Sequence, residues 1–332
     1  MRGGNGCEDK EQRKPDNLHG WQYSAASSGK ATCVPQITWR RSKNVYNGFQ
    51  IVNRLQTISS LALAASLAAG VSAAQAQQSF YERFRAHNAQ MAALQPPMVT
   101  PLVEADPRLI QYLRVAFSNE YTAAGTQTVS YGNGRGFGAI ALNRFEFDYL
   151  PPSYIQHNTA TAKDGLGDTS LVGKVRIASG DAEHGNFDVA AILSHSFATG
   201  TYKNGAATDA WNPTLVGCLG FRRFNVQSAL GGAMPTGKIA AQGRSITWNA
   251  LTQLHANAHL WLELENNATY YFSGGHDGKM QNFVTPAAFY VLRRKDWKPT
   301  HPFFVFNSGM QIATSGFHTC NHNLISEMRI LF

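Results

Sequence analysis

A histidine flanked by two serines is the clearest candidate for catalysis in this chain of 332 residues. His195 stands between Ser194 and Ser196, and a serine hydrolase needs a hydroxyl within hydrogen-bond reach of an imidazole. Neighbours in an extended strand point to opposite faces, so a cross-strand partner is required to complete such a site. A lipid hydrolase that uses His195 is therefore one hypothesis.

Metal binding is the second chemistry that residue spacing suggests. His318, Cys320 and His322 are two residues apart, which puts them on one face of an extended segment and suits a soft transition metal. In a loop such residues are more often ordinary polar groups. Asp164 and Asp168 flank glycines but lack the further oxygen ligands of a calcium site. We expect no metal and no cofactor.

The elements that must position these residues alternate with period two. Residues 137–149 and 259–272 place apolar side chains on one face and charged side chains on the other. No helical period of useful length appears after residue 109, so this part is predicted to be all-β. The predicted strands are 109–118, 126–131, 137–149, 169–177, 186–199, 211–224, 226–234, 245–255, 259–272, 280–293, 302–314 and 323–332.

Alternating strands fit either a soluble β-sandwich or an antiparallel transmembrane β-barrel, because both have one apolar and one polar face. Three features favour a barrel of about 12 strands: a secretory leader, aromatic residues crowded at strand ends, and a last strand that closes on Phe332. Short links near Asn225 and Asn257 and longer loops elsewhere predict a periplasmic and an external end. The predicted membrane-insertion signal consists of Leu324, Met328, Ile330 and Phe332.

The first third of the chain divides into three segments. A basic Arg54, an apolar run and the sequence Ala74-Gln75-Ala76 have the three-part build of a secretory signal peptide. The predicted domains are a spurious or disordered extension over 1–50, the signal peptide over 51–76, a periplasmic arm or linker over 77–108, and an outer-membrane barrel over 109–332.

Composition excludes several protein classes. With 15% charged and 11% aromatic residues the chain is not disordered, and no apolar run approaches the length of a membrane-spanning helix. Residues 1–76 carry nine Lys and Arg against four Asp and Glu, which is +5 of the formal charge of +8. A nucleic-acid partner therefore has little support. Cys218 and Cys320 could pair, but the sequence leaves this open.

The motif Asp164-Gly165-Leu166-Gly167-Asp168-Thr169, followed by LVGKVRI and later by SFATGTYKNG and AMPTGK, resembles the outer-membrane transporters of the MetA-pathway-of-phenol-degradation family. Ala198 departs from that pattern where the family has proline, whereas the second copy, Pro235-Thr236-Gly237, is intact. The resemblance implies a barrel in the bacterial outer membrane that moves small, often hydrophobic or aromatic molecules.

Charges on the polar strand faces are the predicted functional residues. A mid-plane Arg or Lys facing lipid costs about 2–4 kcal/mol, so these charges should line the interior. There they could select solutes, or they could pair with each other and fill the lumen. The candidates are Arg144, Glu146, Asp148, Lys174, Arg176, Glu263 and Glu265.

The sequence therefore predicts an outer-membrane channel, passive or substrate-selective, that performs no catalysis. The alternatives are the lipid hydrolase and a secreted β-sandwich that binds a ligand. The expected partners are outer-membrane lipid, the barrel-insertion machinery and a small solute, with no nucleic acid.

Overall fold

The structure is a computed structural model that describes residues 80–293 and 302–332. The predicted signal peptide and the extension before it lie outside the described residues. Helix α1 spans Phe80–Ala92, helix α2 spans Ile239–Gln242, and one 3₁₀ turn covers Gly274–His276. The strands are β1 Tyr112–Tyr121, β2 Gln127–Tyr131, β3 Gly136–Leu142, β4 Phe145–Leu150, β5 Tyr154–His157, β6 Gly165–Leu166, β7 Thr169–Gly180, β8 Phe187–Phe197, β9 Ala210–Phe221, β10 Phe224–Pro235, β11 Ser245–His255, β12 Leu260–Tyr271, β13 Met280–Leu292, β14 Phe303–Ala313 and β15 His322–Leu331.

Hydrogen bonds join these strands into one closed sheet. The order runs from β15 back through β14 to β7, and then through β4 and β3 to β1. Strand β1 pairs antiparallel with β15, from Tyr112 opposite Leu331 to Tyr121 opposite His322. Because this last pairing leaves no open side, the chain is a closed antiparallel barrel, and the sandwich hypothesis is wrong.

Three strands of the barrel are interrupted. Strand β2 pairs with the second half of β1 and β3 with the first half, so β2 and β3 act as one strand. Strands β4 and β5 continue one another in the same way, and β6 extends β7. Counting each interrupted pair once gives a barrel of twelve strands, which confirms the predicted number.

Residues 137–149 form a hairpin instead of the single predicted strand. Strands β3 and β4 are separated by Asn143 and Arg144, and Ala139 lies opposite Phe147. Residues of one parity therefore stay on one face across the turn, and the period of two does not reveal the reversal. The placement of Arg144 on the polar face of a strand was wrong, because Arg144 lies exposed in the turn.

The barrel is apolar outside and charged inside. Leu215, Leu230 and Leu264 are 52%, 56% and 55% exposed, whereas Glu146 and Asp188 are fully buried. This inversion of the soluble pattern is the arrangement of a barrel that faces lipid. Alternation along β15 sets the predicted insertion-signal residues apart from the buried, inward-facing ones. Leu324, Met328 and Ile330 are the outward ones within β15, and Phe332 directly follows the strand.

The two ends of the barrel differ in their connections. The end that holds Phe332 has the tight connections 222–223 and 256–259, and we call it the short-turn end. In outer-membrane barrels the short turns generally face the periplasm, and the periplasmic position of this end stays a prediction. The opposite end, the long-loop end, carries among others residues 198–209, 236–244 and 272–279. In the part of the chain that the structure describes, no helix has both the length and the apolar character to cross a bilayer.

Candidate functional site: a plug in the barrel lumen

Residues 95–111 run through the inside of the barrel before β1 begins, and we call this segment the plug. Its carbonyls accept hydrogen bonds from side chains on β7, β10, β11 and β15, so the wall surrounds it. Residues 95–108 of the predicted periplasmic arm therefore lie inside the lumen, which corrects that prediction. The bonds join Asn225 Nδ2 to Pro97 O (3.2 Å), Gln253 Nε2 to Val99 O (2.8 Å), Arg329 Nη2 to Pro101 O (2.7 Å), Gln227 Nε2 to Ala105 O (2.7 Å) and Lys174 Nζ to Arg108 O (2.8 Å).

Two inward-facing glutamates of β12 hold the part of the plug that reaches farthest into the barrel. Glu265 accepts hydrogen bonds from three successive backbone N–H groups, those of Leu102 (2.8 Å), Val103 (3.0 Å) and Glu104 (3.1 Å). Glu263 accepts a further bond from the Leu102 N–H at 3.1 Å. Hydrogen bonds to a carboxylate are about twice as strong as neutral ones. The pair therefore fixes this turn, from Leu102 to Glu104, which we call the plug apex.

A buried ion pair holds the far end of the plug. Lys174 Nζ lies 2.7 Å from Glu146 Oε1, and neither side chain is more than 5% exposed. Glu146 Oε2 accepts a hydrogen bond from the backbone N–H of Ile110 at 2.5 Å, while Lys174 also donates to the Arg108 carbonyl. Each charge is therefore satisfied partly by the other and partly by the plug backbone.

The plug carries charges of its own. Arg108 forms a two-bond pair with Asp106, from Nε to Oδ1 at 3.0 Å and from Nη2 to Oδ2 at 2.6 Å. Burial works to raise the pKa of Asp106, but the charge and hydrogen bonds of Arg108 outweigh it and keep this pKa below its usual value. Glu104 has no ion-pair partner within the described residues. Burial, together with the nearby charges of Glu265 and Asp106, raises the pKa of Glu104 to about 8.

Apolar contacts seat the plug apex against β13 and β14. Leu102 is 2% exposed and belongs, with Met98 and Val99, to a buried cluster around Phe289. A Cβ atom added at Gly309 would come within 2.6 Å of Leu102 Cδ2, so the glycine makes room for the leucine. The plug is thus held by both packing and hydrogen bonds.

Helix α1 lies at the short-turn end of the barrel. Met91, near the end of the helix, is buried in a cluster with Leu109 of the plug and Ile140 of β3. The ring of Phe84 contacts the ring of the C-terminal Phe332, with centroids 6.4 Å apart. The helix therefore packs against the barrel beside the point where the plug enters and leaves the lumen.

The inner face is more open toward the long-loop end. Val103 of the plug apex is 38% exposed although the wall surrounds the plug, so it faces an open part of the lumen. Most inward-facing residues beyond it are polar and half-buried, with Glu120 of β1 as a charged one, and we call this space the vestibule. They include Ser194, Asn212, Thr247, Asn249, Thr269 and Gln281.

Six of the seven predicted lumen residues face the interior: Glu146, Asp148, Lys174, Arg176, Glu263 and Glu265. Arg144 does not. Arg176 pairs with Asp188, Nε to Oδ2 at 3.3 Å, and donates to Gln95 of the plug. Asp188, Glu327 and Arg329 were missed, although each lies on the polar parity of a predicted strand, so the same alternation could have found them.

The hydrolase candidate His195 points outward. Its ring lies 4.2 Å from that of Trp211 and 4.4 Å from that of Phe197, among the apolar side chains near the long-loop end. Ser194 and Ser196 alternate with it and lie on the inner face. The nearest carboxylate, Asp209 Oδ2, is 3.7 Å from Nε2. This environment is that of an interfacial aromatic cluster and does not favour a hydrolytic site.

The three spaced metal-ligand candidates do not converge. His318 bonds to the Ser315 carbonyl and to Asn321, Cys320 is a buried free thiol, and His322 stacks on Tyr121 with ring centroids 4.8 Å apart. Within residues 80–293 and 302–332, no three His, Cys, Asp or Glu side chains are placed to hold a metal ion. Cys218 is likewise a buried free thiol, so the pair is not bonded in this structure.

The glycine-flanked aspartates of the sequence motif organise external loops. Asp168 accepts hydrogen bonds from the backbone N–H of Gly200 at 2.9 Å and of Ala206 at 2.6 Å. Asp164 accepts a bond from the N–H of His157 at 2.8 Å. Both carboxylates therefore fold loops back onto the barrel rim, which agrees with a turn rather than a calcium site.

Comparison with solved structures finds outer-membrane porins and channels at low sequence identity. The NanC porin is 8% identical, with a TM-score of 0.43, and the match covers 67% of this chain and 98% of that one. The COG4313 outer-membrane channel from Pseudomonas putida F1 is 13% identical, with a TM-score of 0.45 and coverage of 71% and 100%. A BenF-like porin from Pseudomonas fluorescens Pf-5 is 10% identical, with a TM-score of 0.27 and coverage of 71% and 72%.

No family model and no curated protein matches the chain. At these identities the solved structures say nothing about its solute, and the fold rests on the strand pairing described above. The closed ladder, the apolar outer face and the charged, plugged interior define a twelve-stranded antiparallel β-barrel of the bacterial outer membrane.

Proposed function

We propose that this protein is an outer-membrane channel for small solutes, and that passage requires the plug to leave the lumen. The observation that carries the proposal is the division of the interior. A polar vestibule leads inward from the long-loop end and stops at Val103, where the plug fills the remaining lumen. A barrel with a purely structural interior has no need of such an open, polar half.

The attachment of the plug supports its displacement. Among the described residues, the hydrogen bonds between the plug backbone and the wall run to side chains, such as those of Gln253 and Arg329, except where the plug joins β1 and the Gln111 carbonyl accepts a bond from the N–H of Phe332. The plug can therefore leave without breaking the ladder that holds the barrel closed. Displacement of the plug costs the free energy of these hydrogen bonds and of the Leu102 packing. This free energy determines the fraction of time for which the channel is open.

The class of solute is part of the proposal. The motif over residues 164–169 resembles that of the phenol-degradation transporters, and this resemblance supports small hydrophobic or aromatic molecules. We propose that passage is passive. Five of the six predicted inward-facing charged residues, Glu146, Lys174, Arg176, Glu263 and Glu265, are bonded to the plug, and its displacement would free them to act on a solute.

We also propose that outer-membrane lipid and the barrel-insertion machinery are partners. Lipid would cover the exposed apolar face, and the insertion machinery would recognise the outward alternation of β15 that ends at Phe332. The lipid contact is inferred from the apolar residues around the whole outer face, and the insertion contact from those of β15.

Ion conductance of the purified full-length protein in planar bilayers tests the channel. We expect a closed baseline with brief, infrequent openings, and a slow uptake of small solutes into liposomes above the protein-free rate. The protein must first be shown to migrate faster unboiled than boiled, since a closed barrel resists detergent until it is heated. Folded protein that never conducts, at any voltage, would overturn the proposal.

A further inference from the structure

We propose that Glu263 and Glu265 make the opened lumen selective for cations, an inference that rests on the proposed channel function. Both carboxylates face inward from β12, and both are buried under the plug apex. When the apex leaves, these two side chains become the lining of the position that the plug had filled.

The other wall charges near the plug neutralise one another. Lys174 pairs with Glu146, Arg176 with Asp188, and Arg114 and Arg329 both pair with Glu327. Among the described residues, no Lys or Arg forms an ion pair with Glu263 or Glu265. The four basic side chains therefore leave this pair of carboxylates uncompensated. The buried or half-buried inward charges at this level are Glu146, Asp148, Asp188, Glu263, Glu265 and Glu327 against Arg114, Lys174, Arg176 and Arg329.

The present occupant of this position is a set of hydrogen-bond donors. Three plug N–H groups, from Leu102 to Glu104, point at the carboxylates in place of a cation. Beside them Gln253 is fully buried; its Nε2 donates to Glu263 Oε2 at 2.6 Å, and its Oε1 finds no hydrogen-bond partner in the described part of the chain. A site whose available atoms are carboxylate and amide oxygens favours a positively charged ligand.

Two fixed negative charges change the ion content of a narrow lumen. Within about 8 Å in water, each attracts a monovalent cation and repels an anion by roughly one thermal energy unit, and low-dielectric walls increase the effect. We therefore expect the open channel to pass potassium at least about threefold better than chloride at moderate salt, where screening is incomplete.

Reversal potentials in a potassium chloride gradient test the selectivity, on full-length protein opened by Leu102→Asp. The double variant Glu263→Gln with Glu265→Gln in this background should lose most of the cation preference while it still conducts. Glu183→Gln, in an exposed turn at the short-turn end, makes the same kind of charge change away from the lumen and should keep the preference.

The outcomes separate this inference from the channel itself. Conductance without cation preference, or a preference that survives the double substitution, overturns the role of Glu263 and Glu265 and leaves the channel standing. A folded, heat-modifiable Leu102→Asp protein that passes no ions overturns the channel, and the selectivity with it.

Discussion

Leu102→Asp should convert a mostly closed barrel into one that conducts most of the time. Leu102 is 2% exposed, and its replacement removes buried apolar contacts worth about 2–5 kcal/mol. The new carboxylate would also stand beside Glu263 and Glu265, which both bond to the backbone N–H of this residue. A loss of about 3 kcal/mol changes the ratio of closed to open channels roughly a hundredfold. Single-channel recording measures this ratio directly.

Leu94→Asp is the matched control. Leu94 follows helix α1, lies just before the plug and is 46% exposed, so the same change of side chain costs little there. We expect its conductance to match that of the unsubstituted protein. Equal opening by both variants would mean that an added charge opens the channel, and not the loss of the Leu102 packing. A Leu102→Asp protein that conducts no more than the unsubstituted protein would show that the plug does not close the channel.

Lys174→Met should destabilise the barrel more than any other lumen substitution that keeps side-chain length. The change leaves Glu146, which is fully buried, without its cation and leaves the Arg108 carbonyl without its donor. Removing one partner of a buried ion pair costs about 3–5 kcal/mol. For a chain of this size that corresponds to a fall of about 10 °C in the temperature at which the unboiled gel band gives way to the boiled one.

The double variant Lys174→Met with Glu146→Gln separates ion pairing from packing. It removes both charges, but the amide introduced by Glu146→Gln keeps an oxygen that can still accept a hydrogen bond from the N–H of Ile110. We expect it to recover much of the lost stability, since the penalty of Lys174→Met comes from the unpaired carboxylate. A double variant that is as unstable as Lys174→Met alone would show that the aliphatic stem of the lysine, and not its charge, stabilises the wall.

Alternation predicted the strand number and most of the inward charges, whereas the choice of a barrel over a sandwich also needed the leader, the aromatic residues at strand ends and the terminal Phe332. Each strand of a barrel has one face in lipid and one in the lumen. The two-residue period of the sequence therefore indicates the face on which each residue lies. This period does not indicate where the chain reverses its direction. Residues 137–149 keep their alternation through the turn at Asn143 and Arg144, and only the pairing of Ala139 with Phe147 reveals the hairpin.

The plug could not be predicted, because its partners are far away in sequence. The proline-rich residues 95–108 have no strand or helix period and no charge pattern that marks them as buried. Pro101 bonds to Arg329, which is 228 residues away, and Leu102 fits against Gly309. The signal that a segment fills the lumen lies in such pairs, and a single sequence does not display them.

Closure of the lumen depends on the contact between the plug apex and the inner wall. A Cβ atom added at Gly309 would lie 2.6 Å from Leu102 Cδ2 and 2.8 Å from Ala287 Cβ, so both side chains flank this glycine. Cysteines at positions 102 and 287 should therefore be joined by a short bis-thiol reagent with a reducible linker, in a chain whose own four cysteines are alanine. The decisive measurement is conductance of this variant before and after reduction. We expect a channel that stays shut while it is cross-linked and opens after the linker is reduced; cysteines that the reagent cannot join, or a cross-linked protein that still conducts, would contradict closure by the plug.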